Sequence, residues 1–295
     1  MADILLALVP SLILGVMTLL LIGLGGNDRQ KIMGLFIGAF TLSALATPFL
    51  GPHWTPTTLV VAYISGLMLG WGLYDQTVSL GVLGVSRAMP ISTGTQLALM
   101  SLGGVVLFGE WHTTGAMSAG IAAVICLVAG VWAVSRTEKV PGSQRPAVDW
   151  PRGARLIATS TCTLVGYLLL VRWFGIESKD VLLPQAAGYL SAGLLLTWPR
   201  SHAERGMRWG KATIRQIGTG MLWACAVLLL QITMVRVGVA VGFTLSQLGV
   251  IISTIGGIVL FGEQRTRKEL WWTAIGVTLV VLGAILSGVA RSLDT

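Results

Sequence analysis

Between Gly84 and Gly94 the chain reads Gly-Val-Ser-Arg-Ala-Met-Pro-Ile-Ser-Thr-Gly, which brings a guanidinium, a helix breaker and the hydroxyls of Ser86, Ser92 and Thr93 into one short stretch. Gln96 and Gly103 follow, and at helical spacing Ser92, Thr93, Gln96 and Gly103 fall along one side. Hydroxyls and carboxamides both donate and accept hydrogen bonds, so such a stripe suits a solute rich in hydroxyl groups. The same residue types also hold membrane helices together, and either use fits the pattern. A second stripe, Ser246, Gln247, Ser253, Thr254 and Gly257, has the same character.

Other groups could do chemistry nearby. In Trp-Gly-Leu-Tyr-Asp-Gln, residues 71–76, Trp71 and Asp75 lie one helical turn apart. Trp71 could stack on a sugar ring or anchor a helix at a membrane interface. Asp75 is the candidate for proton coupling, since a carboxylate near the end of an apolar segment can take up and release a proton. Arg87 is either a topological anchor or a gate that pairs with Asp75, and Pro90 disfavours helix at Met89, so a helix is expected to begin close to it. The histidines (His53, His112, His202) stand apart near segment ends, and the cysteines (Cys126, Cys162, Cys225) show no metal-ligand spacing. No metal, cofactor or catalytic residue is expected, and buried thiols without disulfides are.

The elements that must position these groups are membrane helices. Of the 295 residues 54% are hydrophobic and only 11% are charged, with a mean hydropathy of +0.80. Soluble domains carry about 25% charge. Apolar runs near the ~20 residues that cross a bilayer recur at 3–24, 32–50, 57–77, 88–108, 114–135, 154–174, 181–199, 212–234, 242–261 and 270–290. The chain is therefore expected to be an all-α integral membrane protein with ten transmembrane helices. The first run follows an acidic residue, Asp3, and is too long for a signal-peptide core, so it reads as a true span.

The formal charge of +8 is explained by topology rather than by nucleic acid. Alternate loops collect Arg29, Lys31, Arg87, the bases from Arg136 to Arg155, those from Arg200 to Arg215, and Arg265, Arg267 and Lys268. The other loops and the end of the chain hold Arg172, Lys179, Arg236 and Arg291. Basic residues resist translocation, so both termini are expected outside.

The longest polar break, Ser135 to Arg155, divides the chain into residues 1–136, a cytoplasmic linker 137–152, and residues 153–295. Five spans per half is an odd number, so the second half enters the membrane inverted. The halves share a motif: Gly-Gly-Val-Val-Leu-Phe-Gly-Glu ending at Glu110 and Gly-Gly-Ile-Val-Leu-Phe-Gly-Glu ending at Glu263 differ at one position. Two inverted five-helix repeats are the architecture of secondary transporters, in which rocking halves expose a central site to each side in turn. Each Glu follows one helix and precedes the next, where a carboxylate favours the following N-terminus.

Those blocks, with Gly-Val-Ser-Arg-Ala-Met-Pro-Ile-Ser-Thr-Gly-Thr-Gln-Leu before the first and Thr-Leu-Ser-Gln-Leu-Gly before the second, resemble the glucose/ribose-type sugar-uptake permeases of the drug/metabolite transporter superfamily. The resemblance covers nearly the whole chain. It implies a permease of the bacterial cytoplasmic membrane that brings in a monosaccharide, with a proton as coupling ion. It departs from the family where those permeases carry a Trp and a Gly-Gln pair around the third span, here Leu69 and Gly72-Leu73, and a Gly-Asn around the eighth, here Ala226-Val227. On this reading Gln96, Gln247, Ser92, Thr93, Ser246, Thr254 and Trp71 bind the solute, Asp75 couples the proton, and Arg87 and Pro90 belong to a gate. The alternatives are a same-fold carrier or exporter of amino acids, amines or other metabolites, and a membrane-embedded enzyme or non-transporting subunit.

Overall fold

The computed structural model describes residues 2–136, 138, 148–199, 207–237 and 246–293. Among these the chain is all helical: α1 Ala2–Gly23, α2 Asp28–Leu50, α3 Pro56–Leu83, α4 Val85–Phe108, α5 Thr114–Val134, α6 Trp150–Trp173, α7 Ser178–Leu196, α8 Lys211–Val237, α9 Gly249–Leu260 and α10 Arg267–Leu293. Every expected span meets one of these ten helices. Among the described residues, seven helices are long and apolar enough to cross a membrane, and α9 and the stretch Leu8–Gly23 of α1 are shorter apolar segments. This is a multi-pass membrane protein. The start of the ninth span, expected at 242, lies outside the described residues.

The helix ends follow local chemistry. Asn27 opens α2 with a capping box closed by Gln30, and Thr55, Thr113 and Asp149 accept the first free amides of α3, α5 and α6. These caps satisfy N–H groups that have no partner within the helix. The last residue of each repeated Phe-Gly-Glu block follows a left-handed glycine, Gly109 at φ 63° and Gly262 at φ 61°, a conformation that costs glycine little.

Packing follows a regular scheme. α3 lies against α6 and α7, α8 against α1 and α2, and α5 against α10. Between these groups α4 meets α5, α6, α9 and α10, and α1 meets α9. Gly34 and Gly38, one turn apart on α2, leave no room for a Cβ against the α8 backbone near Thr213 and Ile217. Close approach of this kind is how small residues drive helix association in lipid. The core gathers around Ile32, Leu35, Phe36, Leu69, Leu73 and Tyr189, while Phe49, Val106, Ile125, Leu195 and Trp271 project outward, an apolar exterior suited to acyl chains.

The three thiols are free, but not buried as expected: Cys126 is half-buried, and Cys162 and Cys225 are exposed on the outer faces of α6 and α8. Inside a bilayer an outward thiol is solvated by lipid and needs no protein cover. His53 and His112 sit between helices, and His202 lies outside the described residues.

Candidate solute-binding site

The stretch from Gly84 to Gly94 turns out to be a helix junction. Gly84, at φ 84°, is the single residue between α3 and α4. α3 runs past the expected end at 77 to Leu83, and α4 begins at Val85, five residues ahead of Pro90. Pro90 therefore sits inside the helix rather than at its start. The start moves forward because a carboxylate from the other half of the sequence caps it. Glu263 accepts hydrogen bonds from the Val85 amide at 2.6 Å and the Ser86 amide at 3.2 Å, and also from the Ser86 hydroxyl. A negative charge on free amides at a helix N-terminus satisfies donors and dipole together. Gly257 makes the approach possible, since a Cβ there would stand 2.8 Å from the Ser86 nitrogen.

Further polar groups tie this junction to the α9–α10 turn. Arg265 donates to the Ser86 hydroxyl from Nε at 3.1 Å and Nη2 at 2.7 Å, and to Thr273 Oγ1 at 2.5 Å. Burial, then the neighbouring Arg87, lowers the Arg265 guanidinium to about 10 against the pull of Glu263 and Glu269, so it remains a cation at neutral pH. Arg87 does not pair with Asp75: its Nη2 meets Glu269 Oε1 at 3.5 Å. The one-residue junction and the cap direct Arg87 to α10 instead of back along α3. Glu263 was expected to serve the helix that follows it, but α10 has its own capping pair, Thr266 and Glu269. The matching Glu110 forms an ion pair with Arg172 at 2.6 Å.

One turn into α4, two carboxamides converge on one hydroxyl. Ser92 Oγ accepts Gln76 Nε2 from α3 at 2.8 Å and Gln96 Nε2 from its own helix at 2.7 Å. Ser92 is buried, whereas Gln76 and Gln96 are partly open. With both lone pairs occupied, the Ser92 proton is the group left to donate, and among the described residues neither amide oxygen has a hydrogen-bond partner. Two acceptors and a donor are thus held together across α3 and α4. Thr93 is buried next to Ser92 on α4. Gln76 was not among the residues proposed to bind the solute, because it stood at the end of the expected run 57–77; it becomes an interior residue only because α3 continues to Leu83.

The second-half residues are not joined to this group. Thr254 spends its hydroxyl on Val250 O at 2.7 Å within α9. Gln247 lies in the turn that precedes α9, its carbonyl accepting the Val250 amide at 3.1 Å, and Ser246 is buried next to it. The positions on α8 that match Asp75 and Gln76 in the register of the repeated blocks are Leu228 and Leu229. The polar pair of α3 therefore has no polar counterpart on α8.

Trp71 and Asp75 form a separate cluster. Asp75 Oδ2 accepts Trp71 Nε1 at 3.1 Å and Thr159 Oγ1 from α6 at 2.5 Å. Thr159 belongs to the exposed row of Arg155, Ala158, Thr159 and Cys162 on the outside of α6. The indole is 52% exposed and the carboxylate 8%, so the pair marks the outer seam between α3 and α6, with the acid sealed beneath the ring. It lies eight residues from the end of α3, about 12 Å along the axis, and is therefore deeper than an end position. Among the described residues no cation lies within ion-pair distance of it.

A family model described as sugar transport protein matches residues 5–290. A probable glucose uptake protein of Bacillus cereus is 37% identical over 292 residues, covering 99% of this chain and all of that one. The glucose uptake protein of Bacillus subtilis is 36% identical over 98% of this chain and 99% of its own, and a putative sugar uptake protein of Listeria innocua is 38% identical with the same coverage. A solved crystal structure, 16% identical, superposes with a TM-score of 0.62 over all of this chain and 99% of its own, a likeness of fold.

Proposed function

The chain belongs to the sugar transport protein family, and from that premise we propose that it is a monosaccharide permease of the bacterial cytoplasmic membrane, working by alternating access. Glucose is the first substrate to test, because the Bacillus relatives are named for its uptake. The observation that carries the reading is the convergence of Gln76 and Gln96 on Ser92, which sets acceptors and a donor where a polyol can exchange hydrogen bonds with water for bonds to protein. Gln247, Ser246, Thr93 and Thr254 belong to the same proposal as second-half or neighbouring contacts. Trp71 enters it only through Asp75.

The permease is read as ten spans in two inverted repeats, 1–136 and 153–295, joined by a cytoplasmic linker, 137–152. Support comes from the repeated Phe-Gly-Glu blocks with their paired left-handed glycines and from the packing scheme. Exchanging each helix with the one five places on turns α3 against α6 and α7 into α8 against α1 and α2, and leaves α4–α9 and α5–α10 unchanged. Proton coupling through Asp75 is proposed on its burial among neutral donors without a cation. The test is uptake of labelled glucose into proteoliposomes with and without an imposed proton gradient, beside a panel of amino acids. Saturable glucose entry accelerated by an inward gradient is expected; amino-acid entry without sugar entry refutes the substrate class.

A further inference from the structure

The helices fall into two groups that meet at matching places. α4 carries α5, α9 and α10, while α2, α3, α6, α7 and α8 are joined through α2–α7, α3–α6, α3–α7 and α2–α8, with α1 on α8. The groups meet along α3–α4, α4–α6 and α1–α9. At the last two, the first glycine of each repeated block takes in a leucine from the first helix of the other repeat: a Cβ on Gly103 would stand 2.8 Å from Leu169 Cδ1, and Gly256 leaves no room for one against Leu19. The second glycine lies beneath the block's own carboxylate, Gly104 under Glu110 and Gly257 under Glu263. Three residues beyond the two leucines the match ends, with Arg172 on α6 and Ile22 on α1. Glu110 therefore meets a cation across the boundary, with Arg172 Nη2 at 2.6 Å, whereas Glu263 turns to the amides of α4 within its own group. Of the ion pairs between described residues, Glu110–Arg172 alone joins one group to the other.

We propose that Glu110 and Arg172 form a latch that holds the transporter closed at the face where α4 and α6 end, the outer face on the topology proposed above; the latch rests on the alternating-access reading. Each partner is fixed to its own group. Gly109 and Trp111, on either side of Glu110, have φ of 63° and 71°, the second uncommon for a large side chain, and the Trp111 indole lies on Gly120 of α5, where a Cβ would collide with it. Arg172 stands in the last turn of α6, where the helix dipole favours a cation. Its guanidinium lies 4.2 Å from the Phe108 ring centroid, and Trp173 packs on the same ring at 6.1 Å. The pair also has leverage. Thr95 and Thr161 join α4 to α6 at 2.9 Å, and from Thr95 to the end of α4 at Phe108 is about 20 Å of helix. A rotation of about 10° at the threonine level parts the helix ends by about 3.5 Å, which breaks the ion pair while the hydroxyl contact holds. At the opposite face the matching contact is Phe261 against Gly23, with no charge to part. The latch thus biases the carrier toward closure at one face.

The test is double electron–electron resonance on the full chain in nanodiscs, with Cys126, Cys162 and Cys225 replaced by Ala and spin labels at Thr114→Cys and Ser178→Cys, exposed positions at the starts of α5 and α7. Arg172→Gln is expected to raise the ratio of the longer-distance population to the shorter roughly three- to tenfold, the scale of a partly exposed charge pair, with the two populations about 3–4 Å apart. Glu110→Gln should give the same rise, and the double neutral variant no more than either alone. The exchanged pair Glu110→Arg/Arg172→Glu should restore the shorter distance; if it does not elute as a monodisperse protein, the cycle of neutral variants decides. Distances unchanged in all the neutral variants, effects that add in the double variant, or an exchanged pair that folds and stays open each overturn the latch. The labels report without sugar. A shifted distance without glucose uptake refutes the substrate class and leaves the latch, whereas normal uptake with an unmoved distance refutes the latch and leaves the permease.

Discussion

Replacing Gln76 by Leu keeps the side-chain volume and deletes one of the two amides on Ser92. In the unloaded protein the loss is small. The Gln76–Ser92 bond at 2.8 Å is a neutral bond worth about 0.5–1.5 kcal/mol net, and Gln96 still donates to Ser92 at 2.7 Å. With substrate bound the amide oxygen is lost as an acceptor, and a sugar hydroxyl is left unpaired in a partly closed site at a cost of roughly 1–3 kcal/mol. At 1.4 kcal/mol per decade, glucose affinity should fall roughly 5- to 150-fold. The assay is glucose counterflow in proteoliposomes, giving KM independently of the driving force, with equal incorporation checked by quantitative immunoblot. Gln96→Leu should weaken affinity on the same scale. The double variant should cost less than the sum of the two, since both amides act through one hydroxyl. Unchanged KM in both single variants, at equal incorporation, would show that the amides hold α3 to α4 and that sugar binds elsewhere.

Gln247→Ala is expected to weaken glucose binding by roughly 1–3 kcal/mol as the second-half contact, read by the same counterflow; unchanged affinity removes α9 from the site. Asp75→Asn should abolish proton-driven accumulation while leaving exchange intact, and preserved accumulation would reduce Asp75 to a bond across the α3–α6 seam. Glu263→Gln replaces a charged cap by a neutral one and should lower stability by about 1–2 kcal/mol, seen as a lower Tm in detergent, with a larger drop for Glu263→Ala. A reporter active only outside the cytoplasm should work when fused after Thr295 and fail when inserted near Gly142; the reverse would turn the linker outward.

The spans were legible because hydropathy reports the solvent directly: a run such as Thr114–Val134 has no other place than a bilayer. The repeated Phe-Gly-Glu blocks and the Ser92–Gln96 stripe were also visible, since both depend on local spacing. What escaped the sequence depends on distance along the chain. Glu263 meets Ser86 from 177 residues away, and Thr159 meets Asp75 across 84. Without that cap Pro90 was the natural place to start α4, and without Thr159 the nearest partner for Asp75 was Arg87. Gln76 was visible as a residue but not as a partner, because its approach to Ser92 requires the chain to turn on the single residue Gly84.

That turn gives the site its mechanical setting. α4 packs on α5, α9 and α10, and α5 on α10, while Glu263 and Arg265 bind the start of α4 to the α9–α10 turn. α3 instead packs with α6 and α7, and α8 with α1 and α2. If the cycle rocks two bundles, they are not the two halves of the sequence. One consists of the fourth and fifth helices of each repeat, and the other of the first three. Gly84 is where the first half of the chain crosses from one bundle to the other, and the Gln76–Ser92 bond spans the same boundary. Relative motion of the bundles must then lengthen or remake the contact proposed to read the sugar, whereas the Glu263 cap travels unbroken within its bundle. On the proposed cycle, a solute that bridges Gln76 and Gln96 would replace a protein hydrogen bond at that boundary with two of its own, and would so couple occupancy of the proposed site to the position of the bundles.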